Sequence, residues 1–388
     1  MKLKELQNKS ILLFGKSRAF SPDEFLSQMK FHKITVVKEF SDDIVLVIDG
    51  RMMTPYEQNA SDELYEQKKA KSISIDILEK ELAKSIDEDT LLMSLKLSHN
   101  KERLKSFIQN SMIDDELFFR LMKMYSWGDD DFFENDDNRD ISAAFIVRFY
   151  ENIERNHNVQ YATTGFIHLV AQTKSSELLR AISELKPLQF HPKIKAAIAM
   201  SLYCDEKMQK KFFKSGDEKI VEALSFNKNL EASLIKEFIK DTKLGSNVAF
   251  SITLTHELFD LLKIYPTYLA RNESLTKEMQ KRLLELEDEN IKYALSLNDY
   301  IDEEIIEKLL ASQDPKIRLA VYENSATPVS ILEEAYKDES NHLALAKNES
   351  TPIELLYQLQ LDSRYERAVK TNAGFGKHIQ TENIGWLV

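Results

Sequence analysis

The sequence predicts a mostly α-helical protein with a small α/β domain at its N-terminus. The α/β domain is expected over residues 1–86 and an irregular helical region over 87–222. An α-solenoid of short repeats follows over 223–376, with a tail over 377–388. Three observations predict this. Runs of β-branched residues are confined to the first part of the chain. Glycine and proline are scarce, at 9 and 8 in 388 residues, which favours helices joined by short connections. From Ala223 onward one phrase recurs about every 24–26 residues, a period that marks stacked units too small to bury their own apolar faces. The phrase is a small or aromatic residue, Asn or Thr four positions later, and then an amphipathic helix. Its copies are Ala223–Asn227, Ala249–Thr253, Tyr268–Asn272, Ala294–Asn298, Ala320–Asn324, Ala344–Asn348 and Ala368–Asn372.

Composition narrows the function classes. With 43% hydrophobic and 30% charged residues the chain is expected to fold, and its length exceeds one ordinary core. Cys204 is the single cysteine, which excludes a disulfide framework, a thiolate zinc site and a cysteine-held iron–sulfur cluster. A reducing cytoplasm is the expected compartment. The apolar run Ile11–Phe14 is too short for a signal-peptide core of roughly 7–15 residues or a membrane span of about 20. No membrane association is expected. A net charge of −12 disfavours nucleic acid, whose binding rests on phosphate neutralisation.

In chain order, Ser10–Phe14 reads as a strand ending in Gly15. Ser21 and Pro22 open a helix through Met29. Ile34–Val37 and Ile44–Ile48 are β-branched strands, Ala60–Ala70 a polar helix and Ser72–Ile75 a short strand. Asp76 is expected to cap a helix running to about Lys84. The order βαββαβα with short crossovers implies a largely parallel sheet. Three stretches, Leu6–Lys16, Ile34–Gly50 and Ala60–Leu82, resemble the successive strands and helices of a BRCT domain. That resemblance implies a module associated with phosphopeptides and DNA ends. Its phosphate pocket would fall on Gly15, Lys16 and Ser17. Phe14 stands where the family carries a hydroxyl before the glycine, and the family's tryptophan is missing from the last helix. The domain is therefore expected to pack or dock without preference for phosphate.

Apolar spacings of three and four then predict helices around Leu91–Gln109, Asp114–Tyr125, Ile141–Arg155, Gly165–Ala171, Ser175–Leu185, Pro192–Tyr203 and Glu206–Phe213. Gly128–Asp140 is acidic and reads as a solvated loop, in which Phe132 and Phe133 either anchor it to the helical body, the commoner role, or present an apolar contact to a partner. In the repeats, alanine permits close helix approach, and asparagine suits a tight turn because its side chain bonds local backbone. Thr327–Pro328 and Thr351–Pro352 are expected to cap the following helices, with Glu354 completing a capping box. Ile317–Asp338 and Leu343–Leu359 resemble leucine-rich-repeat-variant and HEAT-like α-solenoid families. Gly374 and Gly376 are expected to end the array, and Trp386 and Leu387 to cover its last face.

Motifs for chemistry are weak. Gly15–Lys16–Ser17 lacks the earlier glycine of a P-loop, because Ser10 stands there. Asp129 and Asp131 have Phe133 and Glu134 where an EF-hand needs an oxygen ligand and glycine. His256–Glu257 has Asp260 in place of the second histidine of HExxH. No catalytic residue, metal or cofactor is expected. The expectation is a non-enzymatic scaffold that binds a protein through the solenoid surface. The alternative is a DNA-associated repair or replication factor.

Overall fold

A computed structural model describes residues 2–17, 19–67, 71–132, 135–149 and 162–382. The chain divides into two compact units, Met1–Ile198 and Ala199–Val388. It is mostly helical, and all strands among the described residues lie between Ser10 and Ser74.

The strands are β1 (Ser10–Phe14), β2 (Thr35–Val37), β3 (Ile44–Asp49) and β4 (Lys71–Ser74). They form one parallel sheet in the order β2-β1-β3-β4. Ile11 stands opposite both Val36 and Leu46. Ile11, Leu12, Val47 and Ile48 are buried, as expected for central parallel strands covered on both faces. Helix α1 (Pro22–Phe31) joins β1 to β2, α2 (Pro55–Glu66) joins β3 to β4, and α3 (Ile75–Ala83) follows β4.

Apart from α2, strand and helix ends here differ from the sequence reading by at most a residue or two, and two helix starts differ in their chemistry. Helix α2 starts at Pro55, five residues before Ala60. Thr54 Oγ1 accepts the Glu57 N–H while Glu57 accepts the Thr54 N–H, a full capping box ahead of proline. Helix α3 is capped by Ser74, whose Oγ accepts the Asp76 N–H, and not by Asp76 itself. Lys68–Ala70 lie outside the described residues.

Farther along the first unit, the helix expected over Leu91–Gln109 is two helices, Glu88–Ser98 and Lys101–Ile108. His99 adopts φ +52°, and Asn100 caps the second helix through the Arg103 N–H. The acidic segment is also not simply a solvated loop. Helix Asp136–Phe149 begins inside it, and Phe132 is fully buried against Trp127, Phe166 and His191. Asn138 ties the segment down by donating to the Trp127 carbonyl at 2.9 Å. Phe133 and Glu134 lie outside the described residues, as do 150–161.

The second unit alternates two helix rows. Glu218–Ser225, Thr242–Ser251, Pro266–Leu269, Glu289–Ser296, Pro315–Glu323, His342–Lys347 and Glu366–Lys370 pack each against the next. Between them run Ala232–Phe238, His256–Leu262, Lys277–Leu284, Glu303–Leu310, Val329–Ala335 and Ile353–Gln360. Helix Ala373–Thr381 comes last. It contains Gly374 and Gly376, so these glycines do not end the helical chain. Gly374 permits close approach instead, because a Cβ there would sit 2.3 Å from the Glu349 carbonyl oxygen. Trp386 and Leu387 lie outside the described residues.

Buried asparagines stitch the first row together. Asn298 donates from Nδ2 to the carbonyls of Ala270 and Asn272, Asn324 to Ser296 and Asn298, and Asn348 to Tyr322 and Asn324. Asn372 likewise bonds Ala346 and Asn348, and all eight distances are 2.6–3.0 Å. Asn227 bonds Ala199 and Ser201, and Asn272 bonds Ala249 and Ile252. The acceptors belong to the last turn of the preceding first-row helix, or for Asn227 of helix Pro192–Met200, or lie just beyond it, where carbonyls have no partner within the helix. At the same time each Oδ1 accepts a nearby backbone N–H, from Asn229, Ser274, Tyr300, Ala326, Ser350 or Phe375. This fixes the amide orientation, since a flipped group would set oxygen against two carbonyl oxygens.

Thr327 and Thr351 serve the same need. Their buried hydroxyls donate back to the carbonyls of Val321 and Leu345, so they do not cap the next helix, and no capping box forms at Glu354. An orphan carbonyl at a buried helix end outcompetes a solvated helix start.

Replacing Asn348 by alanine strands the Tyr322 and Asn324 carbonyls and the Ser350 N–H. Thermal or urea melts should show a loss of about 1–3 kcal/mol or more, whereas the exposed Asn290→Ala should stay within about 0.5 kcal/mol. Ala344 is buried at the contact between first-row helices. Ala344→Leu should therefore destabilise by about 1–3 kcal/mol through overpacking, and Glu323→Leu on the exposed side should not.

Candidate functional site

Two places bear on function. The first is the Gly15–Ser17 turn at the carboxyl ends of β1 and β3, a position where open α/β sheets often bind ligands. Gly15 has φ +66°, and a Cβ there would lie 2.5 Å from the Arg51 carbonyl oxygen, so only glycine fits. Lys16 and Arg51 exchange two backbone hydrogen bonds of 2.8 Å, which pins the turn to the end of β3.

The turn's donors are already occupied by carboxylates. The Gly15 N–H donates to Glu57 Oε1 at 3.1 Å, and Ser17 Oγ donates to Glu79 Oε1 at 2.7 Å. The Ala19 N–H reaches the same Glu79 oxygen, and Glu79 is only 1% exposed. Asp49 accepts the hydroxyls of Ser61 and Ser72, and Arg51 is paired with Asp76 at 2.8 Å. The N–H groups of Thr54 and then Gly15 hold the Glu57 carboxyl below its usual range. A phosphate would have to displace these anions or sit beside them, and Lys16 is the one residue of the trio whose side chain projects to solvent. The structure thus brings Gly15, Lys16 and Ser17 together with Glu57 and Glu79, which the sequence reading did not include. The capping spacing of Thr54 and Glu57 was the available signal for one of them.

Other candidate groups are placed plainly. Cys204 is buried, and burial pushes its thiol up to about 12, which leaves it protonated at neutral pH. His256 and Glu257 are exposed at the start of a helix. Among the described residues no three His, Cys, Asp or Glu side chains are grouped to hold a metal ion. Asp131 contacts His191 at 2.5 Å, beside the buried Phe132. No helix among the described residues is long and apolar enough to cross a membrane.

The second place is the outer face of the first helix row. The repeat alanines Ala223, Ala249, Ala294, Ala320 and Ala344 are buried and Ala368 is half-buried, whereas Tyr268 is 51% exposed. The ladder asparagines are buried, so their amides are not presented to a ligand. Thr253 is exposed and makes no side-chain rung. In its unit Ser251 reaches the Ser225 carbonyl instead, and the Thr253 N–H bonds the Lys228 carbonyl.

One position was not singled out in the sequence. Five residues before Asn298, Asn324 and Asn348 stand Tyr293, Leu319 and Leu343, which are 43%, 36% and 47% exposed. They line up on successive helices as an outward apolar row. A groove of about 500 Å³ opens between helices Glu289–Ser296 and Pro315–Glu323, lined by Tyr293, Leu297, Lys316, Leu319, Glu323 and Lys347. Charges around the row are mixed, with Lys347 paired to Glu323 at 3.1 Å and Asp299 and Lys316 also lining the groove. In the sequence each of these apolar residues immediately precedes a repeat alanine, a signal that was present but masked by the buried period. Gln209 and Gln280, which bond backbone across neighbouring units, carried no sequence signal.

No family model, curated protein or solved structure matches this chain.

Because the folded Glu57 carboxyl titrates below its ordinary value of 4.5, its stabilisation is present above that pH. It is lost as pH falls through the lowered value. The melting-temperature gap between the natural chain and Glu57→Gln should be largest near neutrality and narrow steadily as pH falls below 4.5. Melts across pH 3–7 would read this out, and a gap that widened in acid would contradict it.

Proposed function

We propose that the chain is a non-enzymatic interaction scaffold, and that it takes a protein partner on the outer face of the first helix row. In this reading the second unit is an α-solenoid, whose side-by-side helix row forms one extended binding surface. The N-terminal sheet is a BRCT-like module that docks without phosphate, and the working compartment is the cytoplasm. The observation that carries the reading is the outward row Tyr293, Leu319 and Leu343, repeated in one register where solvated side chains would be cheaper.

The anions filling the Gly15 turn support docking without phosphate. DNA is the less favoured partner. Glu323 and Asp299 lie among the lysines around the groove, and the net charge of the chain is −12.

The test is affinity capture from native lysate with the full chain, run with and without nuclease. A parallel capture uses the triple variant Tyr293→Ser, Leu319→Ser, Leu343→Ser. The substituted side chains are partly exposed, so the variant should remain folded, which its circular dichroism spectrum and thermal melt check. A partner that survives nuclease and disappears with the triple variant is the expected result. A partner lost on nuclease treatment, or kept by the triple variant, would contradict it.

A further inference from the structure

The register of the outward row specifies its occupant more closely. We infer that the row takes an extended, polyproline-II-like segment with apolar side chains at every third residue and a carboxylate at the next third position. This inference rests on the scaffold reading above.

Spacing is the first argument. Packed helices lie about 8–10 Å apart, so the row offers one apolar side chain per 8–10 Å. A polyproline-II segment rises about 9.3 Å per three-residue turn and returns the same face to the row each time. A β-strand does not match, because residues three apart point to opposite faces.

Width is the second argument. A bound helix is about 10–12 Å across and needs a broad apolar stripe. Here the stripe narrows to a single side chain on each of two helices. Leu319 is flanked by the exposed Lys316 one turn before and Glu323 one turn after, and Leu343 by Ser340 and Lys347. A slender extended chain fits between such flanks.

Charge is the third argument. The position five before the next ladder residue, Asn372, is Arg367, which is exposed. The row therefore reads Tyr293, Leu319, Leu343, Arg367. Arg367 and the flanking Lys316 take part in no ion pair among the described residues, whereas the neighbouring Lys347, Arg364 and Lys370 are paired to Glu323, Asp362 and Glu366. A carboxylate one triplet beyond the third apolar residue would meet Arg367, whose guanidinium favours carboxylate geometry.

The test uses the full chain and a labelled synthetic dodecapeptide, three Leu-Pro-Pro triplets followed by Glu-Pro-Pro, read by fluorescence anisotropy. Binding should be saturable. Replacing the peptide Glu by Lys should weaken it about two- to fivefold, the worth of an exposed charge pair. Arg367→Glu in the protein should reverse that preference. Leu319→Ser should cost about tenfold or more. Equal binding by a peptide with leucine at alternate positions, stronger binding by an amphipathic helical peptide, or no reversal with Arg367→Glu would overturn the inference. So would absence of any peptide binding. If the lysate partner still depended on Tyr293, Leu319 and Leu343 in those cases, the scaffold reading would stand without this occupant. Loss of that dependence as well would remove both.

Discussion

The second unit depends on one interaction, an asparagine side chain that donates both amide hydrogens to two carbonyls of the preceding unit. Asn324 shows why no other residue serves. Its Nδ2 reaches Ser296 and Asn298 while its Oδ1 holds the Ala326 N–H. Aspartate offers no donor, glutamine is one carbon too long for the turn, and serine has a single hydrogen. Each rung covers carbonyls that a short helix leaves exposed at its end, in a place from which packing excludes water. Leaving them bare would cost as much as the rung contributes, so the ladder and the close packing require each other.

This arrangement separates the two sides of each first-row helix. Alanine and asparagine facing inward are set by distance to the neighbouring backbone, whereas the outward position is free of that requirement. Tyr293, Leu319, Leu343 and Arg367 can therefore differ in chemistry without disturbing the stack, which is what a recognition surface needs. The ladder also tolerates one break. At Thr253 the rung is missing, and Ser251 with the Thr253 backbone carries the contact in its place.

The sequence disclosed some of this and hid the rest for identifiable reasons. The parallel sheet was legible because buried strands read as β-branched runs, and Ser10–Phe14 and Ile44–Asp49 fell close to their expected bounds. The asparagine period was legible, and so was half its chemistry, the local bond from Oδ1. The other half was invisible, because the acceptors are backbone carbonyls that every residue possesses. Thr327 and Thr351 looked like helix caps, and their hydroxyls turn toward the previous helix because only burial reveals the stronger demand. Phe132 was legible as an anchor of the acidic stretch, but its partners were not, since Trp127, Phe166 and His191 converge on it only in the fold. At the Gly15 turn the glycine was readable, but Glu79 lies sixty-two residues from Ser17 and reaches it only through the sheet.

The central claim is that the asparagine side chains are interior structural bonds and not groups displayed to a ligand. Native-state hydrogen exchange at the backbone amides of Ser274, Tyr300, Ala326 and Ser350 addresses it most directly. These turn amides have only the asparagine Oδ1 to protect them. They should exchange as slowly as the amides of Leu295, Val321 and Leu345 in the helix interiors, through the same cooperative opening. Exchange at the rate of an open surface turn, with the helix amides still protected, would contradict the account.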